Sequence, residues 1–455
     1  MSVKIEYIVN LILITVFFTW MDLVFNFSIP VHQILLVVSL LLSIIYFIQN
    51  REVAVKKIFS NSRLNKLIFI LINIYILVDI INIAYSPVKK YALIKYVVIG
   101  QMYILALIMY LFIDNGRDLN KVFVVLGIGS IMISVCSILA YFGLINLIVP
   151  FYGRIALIKD YNLAATAILT GTFALSIVII KNIESLRKRI ILFTLTSFLT
   201  VPIIYNGGSR RGVILLLISS LVVIAYYFWK LYMEENLNFK SVLPIIISIS
   251  VVLGVSLGLN NVVTNLYKDG ANLPENVQKY EDIREEAEPY NVNNTYKTIY
   301  KGSALNSRKV IWNLAFTEIK TFKLKDYLIG RGSGYSSYMY VDKYSSNIEK
   351  LYGNNKKPKL GGSHPHNLFL VDLIDGGIIR LVIELCIWII ILIQLIITFK
   401  INKGLFTIEF LAWMCIVSNC LISGRYGFIY FKEFWIFAII NMIVLRNRES
   451  LEENL

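Results

Sequence analysis

The chain has 455 residues, of which 57% are hydrophobic and only 16% are charged. Soluble globular domains average about 25% charged residues, so this composition excludes an ordinary soluble protein. The formal net charge of +15 would suit a nucleic-acid-binding protein. In a membrane protein, however, basic residues serve to set the topology, and no nucleic acid is expected as a partner.

Repeated apolar runs of about 20 residues predict an all-α polytopic membrane protein with about twelve spans, since a helix of that length crosses the hydrocarbon core. The runs are unbroken, which excludes an outer-membrane β-barrel, because barrel strands alternate apolar and polar residues. The predicted spans are 7–26, 31–48, 66–85, 91–113, 121–143, 162–180, 189–205, 210–230, 241–260, 368–399, 405–423 and 427–446.

These spans define three predicted regions. Residues 1–260 form a membrane domain with spans 1 to 9, residues 261–366 form one large loop, and residues 367–455 form a second membrane domain with spans 10 to 12. The loop is predicted to be partly helical because an amphipathic pattern occurs within it.

The sidedness of the loops follows from their basic residues. Arg51, Lys57, Arg187 and Arg189 are examples from the short connections that follow every second span. Lysine and arginine accumulate in cytoplasmic loops, so these connections are predicted to be cytoplasmic. An even number of spans then places both termini in the cytoplasm and the 261–366 loop outside the cell membrane.

Some basic residues on the predicted outer side are not explained by this rule. They are arginines near predicted membrane boundaries: Arg154, Arg210, Arg211 and Arg425. One interpretation is that they anchor to lipid phosphates or extend their charged ends to the membrane surface. The other is an anion site at the outer face of the membrane. The residues alone leave both interpretations open.

The large loop contains an acidic segment and a predicted helix. The acid-rich residues 275–290 show no ligand spacing with a histidine, so they indicate a solvated surface rather than a metal site. Residues 308–322 predict an amphipathic helix that begins near Asn306 or Ser307 as a cap. In that helix Arg308 and Trp312 share a face. An arginine in the first turn opposes the helix dipole unless it serves a nearby anion.

A glycine-rich segment follows this helix. The sequence IGRGSGYSS, at Ile329–Ser337, resembles a phosphate-cradling loop in composition. It follows no predicted strand and lacks a lysine at the required offset. We therefore predict a turn.

The loop returns to the membrane through GGSHPHN, at Gly361–Asn367, and a helix is predicted to begin near Leu368. This segment contains two of the three histidines of the chain, His364 and His366. No nearby Cys, Asp or Glu supplies a third ligand, so no metal site is predicted. Because the ordinary pKa of histidine is close to neutral, a histidine at the membrane surface is a candidate general base.

The order and spacing of these features resemble the superfamily of bacterial O-antigen ligases and O-antigen or capsular polysaccharide polymerases. Proteins of that superfamily carry an Arg-x3-Leu element and a His-x10-Gly element in one large outer loop. Here His366-Asn367 precedes Gly377 at that spacing. Arg308-x3-Trp312 stands at the first element, with tryptophan where leucine is common.

Two shorter segments support the resemblance. GGSRRG, at residues 207–212, resembles the Ser-Arg-Gly-like signature of the superfamily, and GRIALIKDYN, at 153–162, resembles its arginine-containing segment before a later span. The resemblance implies a GT-C-like glycosyltransferase that needs no cofactor or metal and acts on glycans carried by undecaprenyl pyrophosphate. It also implies a location in the bacterial plasma (inner) membrane.

The resemblance further implies a role for each site residue. His366 would be the catalytic base, and the pyrophosphate would be bound by Arg210 and Arg308, with Arg154 and Arg211 as second choices. Supporting roles would fall to His364, Asn367, Gly377 and Trp312. The implied partners are lipid-linked oligosaccharides and membrane lipid, with a chain-length regulator and a flippase as further candidates.

The glycosyltransferase functions that the sequence leaves open differ in the molecule that accepts the glycan. A polymerase transfers the growing chain to another lipid-linked unit, whereas a ligase transfers it to lipid A core or to protein. The abundance of Ile, Lys, Asn and Tyr fits an AT-rich genome, such as that of a Gram-positive capsule producer that lacks lipid A, and therefore favours the polymerase. The alternative from another class is a transporter or flippase for the same units, although transporters usually show internal repeats and mid-membrane charges.

Overall fold

The structure is a computed structural model that describes residues 4–25, 31–50, 63–113, 116–147, 155–157, 161–207, 209, 212–218, 220–221, 232, 239–269, 303–352, 358–401 and 432–452. All regular secondary structure within these ranges is helical. The helices in chain order are α1 (Ile5–Phe25), α2 (Val31–Gln49), α3 (Arg63–Tyr85), α4 (Lys89–Phe112), α5 (Gly116–Tyr141), α6 (Tyr161–Asn182), α7 (Leu186–Asn206), α8 (Phe239–Asp269), α9 (Ser303–Ile319), α10 (Leu324–Ile329), α11 (Tyr335–Val341), α12 (Ser345–Tyr352), α13 (Leu368–Ile401) and α14 (Lys432–Glu452).

Eight of the described helices are long and apolar enough to cross a membrane, namely α1 to α5, α7, α8 and α13. Shorter apolar stretches occupy Asn162–Ser176 in α6 and Phe434–Ile443 in α14. These helices match the predicted spans, except that the span at 210–230 lies mostly, and the span at 405–423 entirely, outside the described residues. The fold is therefore compatible with a polytopic helical membrane protein.

Small residues allow α5 and α6 to pack very closely. A Cβ added at Gly127 would lie 2.6 Å from Cβ of Leu175, and one added at Gly171 would overlap Ser130. The Ser130 hydroxyl donates to the carbonyl of Ala167 at 2.9 Å. Close backbone approach and interhelical hydrogen bonds replace the hydrophobic effect as the packing force between helices in lipid.

The antiparallel order of the helices gathers several connections at one end of the bundle. Asn65, at the start of α3, contacts Tyr110 near the end of α4 and Gln394 late in α13. The end of α3 and the starts of α4 and α13 therefore share the opposite end. Helix α5 begins a few residues after Ile113, at the end of the bundle where Asn65 lies, and therefore finishes at the opposite end. Because α6 packs antiparallel to α5, the start of α6 also lies at the opposite end. We call it the loop end.

Helices α9 to α12 form a compact unit, residues 303–352, which we call the loop unit. Its small hydrophobic core combines residues of the unit with two from α13: Ile311, Ala315, Phe322, Met339, Tyr340, Tyr344, Ile348, Leu370 and Ile374. The unit is held at the loop end because the Ser86 hydroxyl, in the turn between α3 and α4, donates to the carbonyl of Ser333 at 2.7 Å. The acid-rich residues 275–290 lie outside the described residues.

Candidate functional site

The histidine segment, Gly361–Asn367, lies at the loop end, directly before α13. His366 has φ 53°, and among the described residues it is the single non-glycine residue with positive φ. Its ring lies 3.9 Å from the ring of His364, measured between centroids, and His364 is buried. A non-glycine residue with positive φ is uncommon, although histidine adopts it more often than most residues, and strained backbone positions cluster at functional sites.

The helix that carries the predicted Arg-x3-Trp element contacts this segment. Trp312 of α9 donates its indole N–H to the carbonyl of Pro365, the residue between the two histidines, at 2.8 Å. Arg308 lies one helical turn before Trp312 on the same face, about 6 Å along the axis. The structure therefore brings the two elements of the family resemblance, separated by more than fifty residues of chain, to one place.

A second contact fixes the other side of the histidine segment. The hydroxyl of Ser337, on α11, donates to the carbonyl of Ser363 at 2.7 Å and accepts from the N–H of Gly361 at 2.8 Å. Asn367 then begins α13 as its cap, since its side-chain oxygen accepts from the N–H of Leu370 at 3.2 Å. The segment is thus tied to three helices.

The start of α9 differs from the prediction. The helix begins at Ser303, so Asn306 and Ser307 lie inside it and do not cap it. Arg308 accordingly lies in the second turn, where the unfavourable effect of the helix dipole is weaker. The helix dipole therefore gives little reason to expect an anion at Arg308, although the helix that carries Arg308 contacts the histidine segment.

Gly377 lies inside α13, within the predicted span 368–399, about 14 Å along the helix from its start. Its φ of 68° and ψ of −168° form a kink that almost only glycine adopts. A Cβ at Gly377 would overlap the carbonyl of Leu328 and lie 2.6 Å from the nitrogen of Gly330. Gly377 thus allows α13 to bend against the loop unit.

We expect Gly377→Ala to destabilise the protein by about 1–3 kcal/mol, because the new side chain adds backbone strain and overlaps α10. The matched control is Gly254→Ala in α8, where a Cβ meets no atom within 4 Å. The thermal unfolding midpoint of the purified variants measures the effect. Equal midpoints for the two variants would show that the close approach at Gly377 is unimportant.

The two arginine-bearing segments also meet. The N–H of Ile155 donates to the carbonyl of Asn206 at 3.1 Å, and the hydroxyl of Ser209 donates to the side-chain oxygen of Asn162 at 2.9 Å. These contacts join the end of α7 to the start of α6 at the loop end. Three predicted ligands belong to these segments but lie outside the described residues: Arg154, Arg210 and Arg211.

Sequence reasoning missed a buried charge cluster between α3 and α13. Arg380 is fully buried and donates to Asp79 at 2.6 Å, to Asp372 at 2.8 Å and to the hydroxyl of Tyr75 at 2.8 Å. Asp79 also accepts from the hydroxyl of Ser333, in the loop unit, at 2.5 Å. The cluster therefore links the membrane helices to the loop unit.

The glycine-rich turn at Gly330–Gly334 does bind an anionic group, but one of the chain itself. The backbone N–H groups of Gly334 and Ser336 donate to the two carboxylate oxygens of Asp375, at 2.9 and 2.7 Å. Residues 330–334 form the predicted turn, whereas Tyr335–Ser337 of the predicted segment belong to α11. The carboxylate occupies the place that a phosphate would take in a phosphate-binding loop. Asp375 thus fixes the loop unit on α13.

A second charge cluster lies within the loop unit. Glu318 is fully buried and accepts from Lys343, Tyr335 and Tyr344 while also pairing with Arg331. Burial alone would raise the pKa of Glu318, but these hydrogen bonds and the charge of Arg331 together lower it. The ionised carboxylate is therefore the form that holds the unit together.

We expect the loop unit to lose stability in acid. The pKa of Glu318 is lower in the folded protein than in the unfolded chain, so its contribution is complete above an unfolded-state pKa of about 4.3 and is lost as the pH falls through the folded-state value. Glu318→Gln should reduce stability at neutral pH and flatten this dependence. Thermal unfolding midpoints between neutral pH and about pH 3 measure both effects. Glu349→Gln, on α12, is the control, and parallel pH profiles for the two variants would contradict the assignment.

Within the ranges that the structure covers, no group of three or more His, Cys, Asp or Glu side chains is arranged to hold a metal ion. No protein-family model matches the chain, and no curated protein matches it. A function is therefore inferred from the residues of this chain and their geometry.

Proposed function

We propose that the chain polymerises undecaprenyl-pyrophosphate-linked oligosaccharide repeat units of a capsular or O-antigen polysaccharide, by metal-independent and inverting glycosyl transfer. The architecture proposed with this function is GT-C-like, with about twelve spans. The observation that carries the proposal is the left-handed backbone of His366, whose ring lies beside that of His364 and whose neighbour Pro365 accepts a hydrogen bond from Trp312.

The proposed orientation places the loop end outside the plasma membrane and both termini in the cytoplasm. This orientation follows from the basic residues of the short connections. Lipid-linked units presented at the outer face would then meet the histidine segment at the membrane surface. The support from the fold is that the segment lies at the start of α13, an apolar helix long enough to span a membrane.

In the proposed reaction, His366 accepts the proton of an acceptor hydroxyl as the oxygen attacks the anomeric carbon of the donor. The new bond joins the acceptor oxygen to this carbon, and the bond from the carbon to the pyrophosphate oxygen breaks. The electron pair leaves with undecaprenyl pyrophosphate, and the proton passes from the imidazolium to solvent. Attack from the side opposite the leaving group inverts the anomeric configuration.

Arginines are well suited to the leaving group. A guanidinium binds two phosphate oxygens through a planar fork and stays charged, so it stabilises the departing pyrophosphate without a metal. Arg308 is supported by its position one turn before Trp312. Arg210, Arg154 and Arg211 are supported by the contacts between the segments that contain them.

The product distinguishes this function from its alternatives. Membranes that contain the chain are incubated with purified lipid-linked repeat units, and the products are separated by size. A ladder of longer glycans on undecaprenyl pyrophosphate is the result expected of a polymerase. Transfer to lipid A core or to protein would instead identify a ligase. Unchanged units that only cross the membrane would identify a transporter and refute the proposal.

A further inference from the structure

Helix α10 of the loop unit exposes an apolar face. The exposed fractions of its side chains are 78% for Leu324, 45% for Leu328 and 38% for Tyr327. Its N-terminus is fixed, since the carboxylate of Asp326 accepts from the backbone N–H of Lys323 at 3.2 Å. Leu324 and Leu328 lie one helical turn apart and therefore share a face, and contiguous exposed apolar surface is typical of sites that contact a protein or a membrane.

The apolar face of α10 continues the exposed apolar surface of the neighbouring long helices. The backbone of Leu328 packs against the Gly377 kink, and the next residues of α13, Ile378 and Ile379, are 48% and 41% exposed. On the other side, the Lys325 ammonium lies 4.3 Å from the ring of Tyr85, at the end of α3. Exposed apolar side chains on helices long enough to span a membrane face lipid, so α10 lies at the rim of that surface.

Basic residues surround this face. Lys320, Lys323 and Lys325 are all exposed. The one carboxylate of the helix, Asp326, is occupied by Arg331, whose Nε lies 3.4 Å from it. A small apolar face with a rim of uncompensated lysines has the chemistry of a segment that lies in the interface of an anionic membrane.

We propose that α10 inserts into the headgroup boundary of the leaflet at the loop end, with Leu324 and Leu328 among the acyl chains and the three lysines on anionic phospholipid headgroups. The loop unit is then held both by its contacts with the membrane helices, among them those of Asp79 and Asp375, and by this lipid contact. The inference is independent of the proposed enzymatic function, because it depends only on the surface of the loop unit.

The test uses the full chain in lipid nanodiscs, with its four native cysteines replaced by alanine and one labelling site introduced. Leu324→Cys carries an environment-sensitive fluorophore, and Asn347→Cys, an exposed polar position on α12, is the matched control. We expect the Leu324→Cys label to be quenched several-fold more by spin-labelled lipid than the control label, and less by aqueous iodide. Equal quenching of both labels by iodide would overturn the proposal.

The charge of the lipid is tested separately with the combined variant Lys320→Gln, Lys323→Gln and Lys325→Gln. Quenching of the Leu324→Cys label by lipid should increase when phosphatidylglycerol replaces part of the phosphatidylcholine, and this increase should be lost in the triple variant. An unchanged signal on adding the anionic lipid would contradict the headgroup contact. Disulfide-linked dimers through Leu324→Cys at low protein density would show that a second copy covers the face, and would also overturn the proposal.

Discussion

Replacing His366 is expected to lower the rate of glycan elongation by about 10²–10⁴-fold, the range typical for loss of a general base. The most informative variant is His366→Asn. Asparagine tolerates the left-handed backbone at this position, so the substitution removes the imidazole without adding strain. His366→Ala should lose as much activity but carries an added backbone cost. The measurement is the initial rate of elongation of lipid-linked units by equal amounts of folded protein.

The control for this result is the third histidine of the chain. His32, at the start of α2, lies 3.6 Å from the carboxylate of Asp22 and takes no part in the proposed site. His32→Asn should therefore elongate at close to the wild-type rate. If His366→Asn elongated as fast as this control, His366 could not be the base.

Arg380→Ala is expected to destabilise the protein by about 3–5 kcal/mol, the cost of removing one partner from a buried ion pair. The change would leave Asp79 and Asp372 as uncompensated carboxylates, each fully buried. It would also weaken the attachment of the loop unit, because Asp79 holds Ser333. The thermal unfolding midpoint and the fraction that elutes as a monodisperse peak in detergent measure the loss.

Two further variants test whether uncompensated buried charge causes this loss of stability. Lys66→Met removes an exposed positive charge from the same helix, α3, and should have little effect. Combining Arg380→Met with Asp79→Asn and Asp372→Asn removes the buried charges together, and should recover much of the lost stability. If the combined variant were no more stable than Arg380→Ala, unpaired charge would not explain the loss.

The extent of the spans could be predicted because it depends on local composition. The apolar run at 368–399 became α13, Leu368–Ile401, and the run at 7–26 became α1, Ile5–Phe25. Both agree within a few residues because an apolar run is a local property of the sequence. The hydrocarbon thickness accounts for the 21 residues of α1, whereas α13 has 34 residues and is kinked at Gly377. Helix α9 begins at Ser303, earlier than predicted, and the residues before the amphipathic stretch include the strong helix formers Ala304 and Leu305.

The Arg380 cluster could not be predicted in the same way, because Arg380 and Asp79 are 301 residues apart in the chain. One signal was present. Asp372, Arg380 and Glu384 follow one another at intervals of eight and four residues within an apolar run, and charged residues so placed in a spanning helix rarely face lipid. The contacts of Asp375 could not be predicted either, because its partners are distant in the chain. They are backbone N–H groups beside a turn that the sequence marks only by its glycines.

The histidine segment combines a local sequence signal with contacts between residues that are distant in the chain. The spacing from His366 to Gly377 singled out this stretch of chain, but it gave no physical reason for the spacing. The glycine bends α13 against the loop unit, and the loop unit in turn places α9 beside the histidines. The motif therefore describes a packing arrangement as much as a set of reacting groups.

The most direct measurement is the release of undecaprenyl pyrophosphate by the purified chain. The chain is reconstituted in vesicles with lipid-linked repeat units and a metal chelator, and both released carrier lipid and newly formed glycosidic bonds are counted. We predict that one carrier lipid is released for each bond formed, that the new bond has inverted anomeric configuration, and that His366→Asn abolishes both. Carrier release that requires a divalent metal, or no carrier release by folded wild-type protein, would contradict the account.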